Sequence, residues 1–289
     1  MTKKTFLLGV GCQKGGTTWL HDYLKRHPAC NFGFAKEYHV FDALDLQFCK
    51  YFARSKFKTL DKAIRDQTLS SSHKNLLKHI DFYRDSQNYY DYFDYLQQKN
   101  RSGVVGDITP TYGALPTARY KEIKKSFEGK GFDVKVIFLM RDPLERIWSQ
   151  IRMCRKRALK RNPSHVFEHS EFEQLAMNYD EHAYEVRTRY ENTINNLEAV
   201  FTPDKIYYGF YEELFTPKSI KDICKFLDIT YIKPNFKKIV NASPKDKTDI
   251  PSALSNSVVQ HYQSTYDFCL NKFGEKFIIN IWPNSVLSK

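Results

Sequence analysis

No uninterrupted apolar run in the 289 residues approaches the roughly 18 that a membrane-crossing helix needs, so no membrane span is expected. The six cysteines, Cys12, Cys30, Cys49, Cys154, Cys224 and Cys269, form no C-x-x-C pair and stand near no histidine pair of zinc type. That removes the common zinc patterns, and no metal is expected; buried or reduced thiols are the default. There is no internal repeat and no low-complexity linker, which makes one domain over residues 1–289 the simplest account. The opening "MTKKTFLLGVG" has the outline of a signal peptide, two lysines before an apolar run. The run is too short and leads straight into a glycine loop, so it reads as the first strand of a mature, cytoplasmic protein.

What the chain has is positive charge and aromatic surface. A formal net charge of +12 favours acidic partners, whether a phosphorylated cofactor, an acidic substrate, nucleic acid or a membrane surface. No familiar RNA- or DNA-binding motif accompanies it, and nucleic acid is not the expected partner. With 42% hydrophobic and 15% aromatic residues the chain is globular. Short strand-like runs, Thr5 to Gly11, Val104 to Ile108, Val134 to Met140 and "KIYYGFYEEL", alternate with helical stretches. That alternation predicts an α/β fold, a central parallel sheet with helices on both sides. The stretch "EHAYEVRTRYENTINNLEAVF" reads as one long helix. Basic residues crowd Arg152 to Arg161, either as a solvated face at a helix C-terminus or as a docking surface for an acidic acceptor.

The most informative stretch is "GCQKGGTTWL", Gly11 to Leu20. Its glycines keep the spacing of a nucleotide phosphate loop, G-x-x-x-x-G-K-[ST], but Thr17 stands in the lysine slot and Lys14 comes three residues earlier. Strand, glycine loop and helix in succession form an anion site, because the first helical amides and the helix dipole face the ligand. The missing Lys-Thr pair argues against the usual ATP loop with its magnesium.

This loop and a second element, "RDPLERIWSQ" after the strand ending at Met140, together resemble the sulfotransferases that use 3′-phosphoadenosine 5′-phosphosulfate (PAPS). Further segments fit: "KEYHVFD" is similar to the K-E-x-H-x-F-D of glycan sulfotransferases and their bacterial relatives, and "GDITPTY" to their G-E-x-[ST]-P-x-Y. Asp107 replaces the usual glutamate of the latter, and the K-x-H-x-P and R-K-G motifs of cytosolic-type enzymes are absent. The resemblance runs from about Phe6 to about Pro251. It implies a P-loop-like fold in which Lys14, Gly15, Gly16, Thr17 and Thr18 hold the 5′-phosphosulfate while Arg141 and Ser149 hold the 3′-phosphate. Trp19 would stack on adenine or pack in the core, and Lys245 or Lys247 would reach the 3′-phosphate. Glu37 is the implied general base, with His39 as the alternative base or an orienting group.

The expected reaction is in-line transfer of a sulfuryl group from PAPS, leaving 3′-phosphoadenosine 5′-phosphate (PAP), to a hydroxyl or nitrogen of a saccharide or small natural product. An ATP-dependent kinase is the first rival; it would use Asp142 as the metal-binding carboxylate. A non-enzymatic nucleic-acid binder is the second. The sequence leaves the oligomeric state open.

Overall fold

A computed structural model of the chain describes residues 4–100, 103–236 and 249–288. Its centre is a five-stranded, all-parallel sheet in the order β2-β3-β1-β4-β5, with β1 at Thr5–Gly11, β2 at Cys30–Asn31, β3 at Val104–Ile108, β4 at Asp133–Met140 and β5 at Ile206–Phe210. The pattern of apolar runs anticipates four of these strands; the two-residue β2 is too short to leave such a signature.

Burial on both faces explains why the strands are apolar throughout rather than alternating. Phe6, Leu8, Val10, Val136 and Phe138 belong to one core layer. Their alternate neighbours Leu7, Val104, Ile137 and Leu139 belong to the other. The second layer is covered by α1 (Thr17–Lys25), and later in the chain by a helix at Pro217–Leu227. Between β2 and β3 run α2 (Phe41–Asp45), α3 (Tyr51–Arg65), α4 (Lys74–Arg84) and α5 (Ser86–Asn100). Tyr89, Tyr90 and Phe93 of α5 are buried in the first layer.

α6 (Thr117–Gly129) leads into β4, and α7 (Pro143–Arg161) follows it. Pro143 fills the first helical position, where its missing N–H costs nothing, and Asp142 caps the helix by accepting the Glu145 amide at 3.3 Å. After α8 (Glu171–Asn178), the single helix expected over residues 181–201 is two, α9 (His182–Glu185) and α10 (Tyr190–Glu198). The Thr188 hydroxyl donates back to the Tyr184 carbonyl at 2.7 Å and the Arg187 guanidinium to that of Ala183, so side chains take over carbonyls at the break. The chain then passes through β5, α11 (Tyr211–Leu214) and α12 (Pro217–Leu227) to α13 (Ser252–His261), α14 (Gln263–Phe273) and α15 (Glu275–Ile281).

The strand order places the reversal of winding at β1. The connection after β1 leads to one side of it, and β4 and β5 lie on the other. The carboxyl ends of β1 and β4, at this switch point, form the crevice where open parallel sheets bind ligands.

Candidate active site

Two loops meet at that crevice. The first, Gly11–Gly16, ends with Gly16 at φ 90° and ψ 4° as the residue before α1. The left-handed conformation suits glycine, and a Cβ here would stand 2.5 Å from a methyl of Leu214. Lys14 also adopts a left-handed conformation, φ 73°, which is uncommon for a side chain-bearing residue. Burial, followed by repulsion from Arg141, Arg157 and Arg152, lowers the Lys14 pKa to about 8. Gly15 turns inward: it is buried, its amide donates to the Cys12 carbonyl at 3.1 Å, and a Cβ would lie 2.8 Å from the Leu139 oxygen.

The second loop is the end of β4, where Arg141 and Asp142 are pinned by residues from four later elements of the chain. The Tyr190 hydroxyl donates to the Arg141 carbonyl at 2.7 Å, and the Asp142 amide donates to Glu212 at 3.1 Å. Tyr266 and Asn284 donate to the two oxygens of Asp142 at 3.0 and 3.1 Å. Asp142, the carboxylate a metal-dependent phosphotransferase would need here, is therefore buried and spent on structure; burial raises its pKa to about 6. The Arg141 side chain lies over the Tyr211 ring, 4.3 Å from its centroid, and one of its Nη atoms meets Glu145 at 2.9 Å. Its Nε is buried with no hydrogen-bond partner among the described residues.

Lys14, Gly16, Thr17, Thr18, Arg141 and Ser149 all line one cleft of ≈ 740 Å³. Glu37 and His39, from the segment before α2, line it as well. The imidazole of His39 bridges two carboxylates, with Nε2 3.1 Å from Glu37 Oε2 and Nδ1 2.7 Å from Asp42 Oδ2. Burial alone would lower the His39 pKa, but the bonds to Asp42 and Glu37 raise it to about 9. Burial would likewise raise the Glu37 pKa; His39 and Lys36, whose ammonium contacts Glu37, outweigh it and hold the pKa at about 2. His39 is left-handed, φ 52°, and stacks at 3.5 Å on Phe52 of α3.

Trp19 is buried at the cleft edge, stacked on Tyr23 and on Phe236 with centroids 6.0 and 5.9 Å apart, so it packs against aromatics and also lines the cleft. Lys245 and Lys247 lie outside the described residues. Asp107 does not enter the cleft: fully buried on β3, it accepts hydrogen bonds from Tyr89 at 3.0 Å and Thr109 at 2.7 Å.

Sequence reasoning assigned no role to Asp42, Tyr211 or Arg187. Asp42 stands within the quoted "KEYHVFD", so its spacing from His39 was on view; Tyr211 and Arg187 reach the cleft only through tertiary folding.

A sequence model of the sulfotransferase family matches residues 7–233. No curated protein sequence gives a significant match. Among solved structures, the chain is similar to a sulfotransferase from Alicyclobacillus acidocaldarius at 16% identity, covering 94% of this chain and 96% of that one with a TM-score of 0.55. The sulfotransferase domain of the Synechococcus PCC 7002 olefin synthase aligns at 18% identity over 89% of this chain and 88% of that one, with a TM-score of 0.44. At 16% identity, the likeness to the Alicyclobacillus structure bears on the fold alone.

Proposed function

The chain belongs to the sulfotransferase family, and from that premise we propose that it transfers a sulfuryl group from PAPS to a hydroxyl or nitrogen of a small-molecule or saccharide acceptor. One observation supports the choice of donor: two groups suited to anions line the same cleft. A glycine loop with Lys14 but with threonine in the usual lysine slot forms one, and the half-satisfied Arg141 guanidinium with Ser149 forms the other. The buried Nε of Arg141 has no hydrogen-bond partner among the described residues and is a donor open to a ligand, and a planar guanidinium suits a phosphate. Ser149, two helical turns along α7, faces the same cleft.

PAPS supplies the sulfuryl group: a bond from the acceptor oxygen or nitrogen to sulfur forms as the bond from sulfur to the 5′-phosphate oxygen breaks, leaving PAP. The Lys14 ammonium and the amides at the start of α1 stabilise negative charge growing on that leaving oxygen. Preorganised donors of this kind are worth about 3–4 kcal/mol each in the transition state. Glu37 takes the acceptor's proton. We assign the base to Glu37 and not His39 because the imidazole, bonded to two carboxylates, already carries its proton in the neutral range. Glu37 as held is a weak base; an acceptor that displaces Lys36 from its oxygen raises its basicity. The six free cysteines support a reducing, cytoplasmic setting.

Calorimetric titration with PAP, and with ATP and magnesium, tests the reading. The wild-type protein should bind PAP in preference to ATP, and Arg141→Ala should weaken PAP by tenfold or more. A folded wild type that ignores PAP overturns the donor assignment.

A further inference from the structure

A single phenol hydroxyl touches both loops of the candidate site. Tyr190, the first residue of α10, is buried, and its hydroxyl donates to the Arg141 carbonyl at 2.7 Å. The same oxygen lies 3.5 Å from the Sγ of Cys12, in the glycine loop. A phenol has one proton, here spent on Arg141, so the Cys12 thiol is the donor to the phenol oxygen. Burial raises the pKa of both groups, which keeps them protonated and the chain of bonds from Cys12 through Tyr190 to Arg141 intact at neutral pH.

This bridge stands where the sheet stops supplying one. β1 and β4 pair as far as Gly11 and Phe138, and the Cys12 amide still donates to the Leu139 carbonyl. Arg141 lies past the end of β4, and the glycine loop turns at Lys14 and Gly16, both left-handed. Cys12 anchors that turn, because its carbonyl accepts the Gly15 amide at 3.1 Å. A tie from Cys12 to Arg141 therefore holds the turn that carries Lys14 against the residue that carries the guanidinium.

The tyrosine is itself held. Its ring packs edge-on against Phe138 with centroids 5.7 Å apart, and against Trp282 at 6.1 Å. Its amide donates to the Thr188 carbonyl at 2.8 Å, at the break that precedes α10. One turn on, the Thr193 hydroxyl donates to the Gly113 carbonyl at 2.8 Å, in the turn that follows β3. The break between α9 and α10 thus brings the first turn of α10 to the carboxyl ends of β1, β3 and β4.

We propose that Tyr190 is a positioning residue that fixes the spacing between the Lys14 turn and Arg141, so that the site favours ligands whose two anionic groups reach both loops at once. The identity of those groups rests on the donor reading above. Buried partners have no solvent to fall back on, so loss of the hydroxyl removes the tie outright. A ligand held by one loop follows a small displacement of that loop. A ligand held by both must strain or surrender a contact, and the benefit of a preorganised site is lost.

The test compares PAP, with a phosphate for each loop, and 5′-AMP, which lacks the 3′-phosphate, by calorimetric titration of the full chain. Tyr190→Phe should weaken PAP by about fivefold or more, the scale of one lost hydrogen bond, while 5′-AMP stays within about twofold. Cys12→Ala cuts the other end of the tie and should shift the ratio in the same direction, and the double variant should lose no more than Tyr190→Phe alone. Tyr262→Phe removes a hydroxyl that donates to the Tyr179 carbonyl instead, and should leave the ratio unchanged. Equal losses for PAP and 5′-AMP, or an unchanged ratio in Tyr190→Phe, overturn the proposal. Hydrogen exchange of the free protein reads the tie without any donor: Tyr190→Phe should speed exchange in residues 11–18 and 140–146 but not in α12. Exchange that is unchanged in either loop, or raised throughout the chain, overturns it as well. Faster exchange confined to the two loops, in a protein whose wild type binds no PAP, counts against the donor assignment alone.

Discussion

His39 Nδ1 lies 2.7 Å from Oδ2 of Asp42, a carboxylate with no solvent exposure. With Glu37 at the opposite ring nitrogen, the pair holds an imidazolium at the base of the cleft. The folded-state pKa of about 9 lies above the usual value near 6.5, so the folded protein binds the extra proton more tightly than the unfolded chain. The resulting stabilisation is fully present below about pH 6.5 and is lost as pH rises through about 9. Its upper size is of order 3 kcal/mol, from 1.36 kcal/mol per unit. Urea melts of wild type and Asp42→Asn should differ most near pH 6 and converge toward pH 10. A stability difference independent of pH would show that Asp42 acts only by packing.

Lys14 titrates in the opposite sense to its usual role as a permanent cation. Its pKa of about 8, lowered by burial and by neighbouring arginines, means that the free protein loses the loop charge as pH rises through 8. Bound donor phosphates favour the ammonium and move that titration upward. The rate constant kcat/KM should therefore fall above about pH 8, while kcat falls at a higher pH. Lys14→Ala should lower kcat by roughly 10²–10³, the loss seen for one transition-state donor. A kcat/KM profile flat from pH 7 to 10 would exclude Lys14 as the titrating group.

Replacing the base separates the two members of the Glu37–His39 pair. Glu37→Gln keeps the shape and removes the proton acceptor, which should cost roughly 10²–10⁴ in kcat. His39→Gln keeps a donor facing Glu37 and should cost less, since His39 holds Glu37 and does not take the proton. Because the Glu37 pKa in the free protein is about 2, the wild-type kcat/KM profile should show no acid limb from this group above about pH 3. A larger loss in His39→Gln than in Glu37→Gln would reverse the assignment.

The sheet was legible because its strands are buried on both faces and so are written as continuous apolar runs. The loop was legible because Gly16 and its helix are local in sequence. The pairing of His39 with Asp42 was within reach, three residues apart in one quoted segment, but the left-handed turn at His39 that swings the ring between Glu37 and Asp42 has no residue-type signature. The break at Thr188 was hidden for a different reason: the segment carries good helix formers on both sides, and the hydrogen bonds that interrupt it come from side chains bonding back to the preceding turn. The bracing of Arg141 by Tyr190, and of Asp142 by Glu212, Tyr266 and Asn284, spans up to 142 residues of separation, which no local pattern encodes.

Gly16 of the glycine loop lies against α11, the helix whose Tyr211 ring also carries Arg141. A Cβ at this position would lie 2.5 Å from Leu214 Cδ2 and 3.3 Å from Tyr211 Cδ2, and Tyr211 is the ring that carries Arg141. Gly16→Ala therefore strains the backbone at φ 90° and pushes on α11 in the same step. The backbone part alone costs about 1–2 kcal/mol for an L-residue in a left-handed conformation. Leu214 can yield, being a flexible side chain end, but Tyr211 moves with it and shifts the platform under the guanidinium. Gly16→Ala should lower stability by about 1–3 kcal/mol and weaken PAP binding by more than that local strain explains. A cycle with Leu214→Ala separates the two parts, because removing the leucine relieves the clash and leaves the φ strain in place. Partial recovery of PAP affinity in the double variant, read by calorimetry, is the expected result. Strict additivity of the two changes would mean that the glycine is required by its backbone alone and that the loop does not communicate with Arg141 through α11.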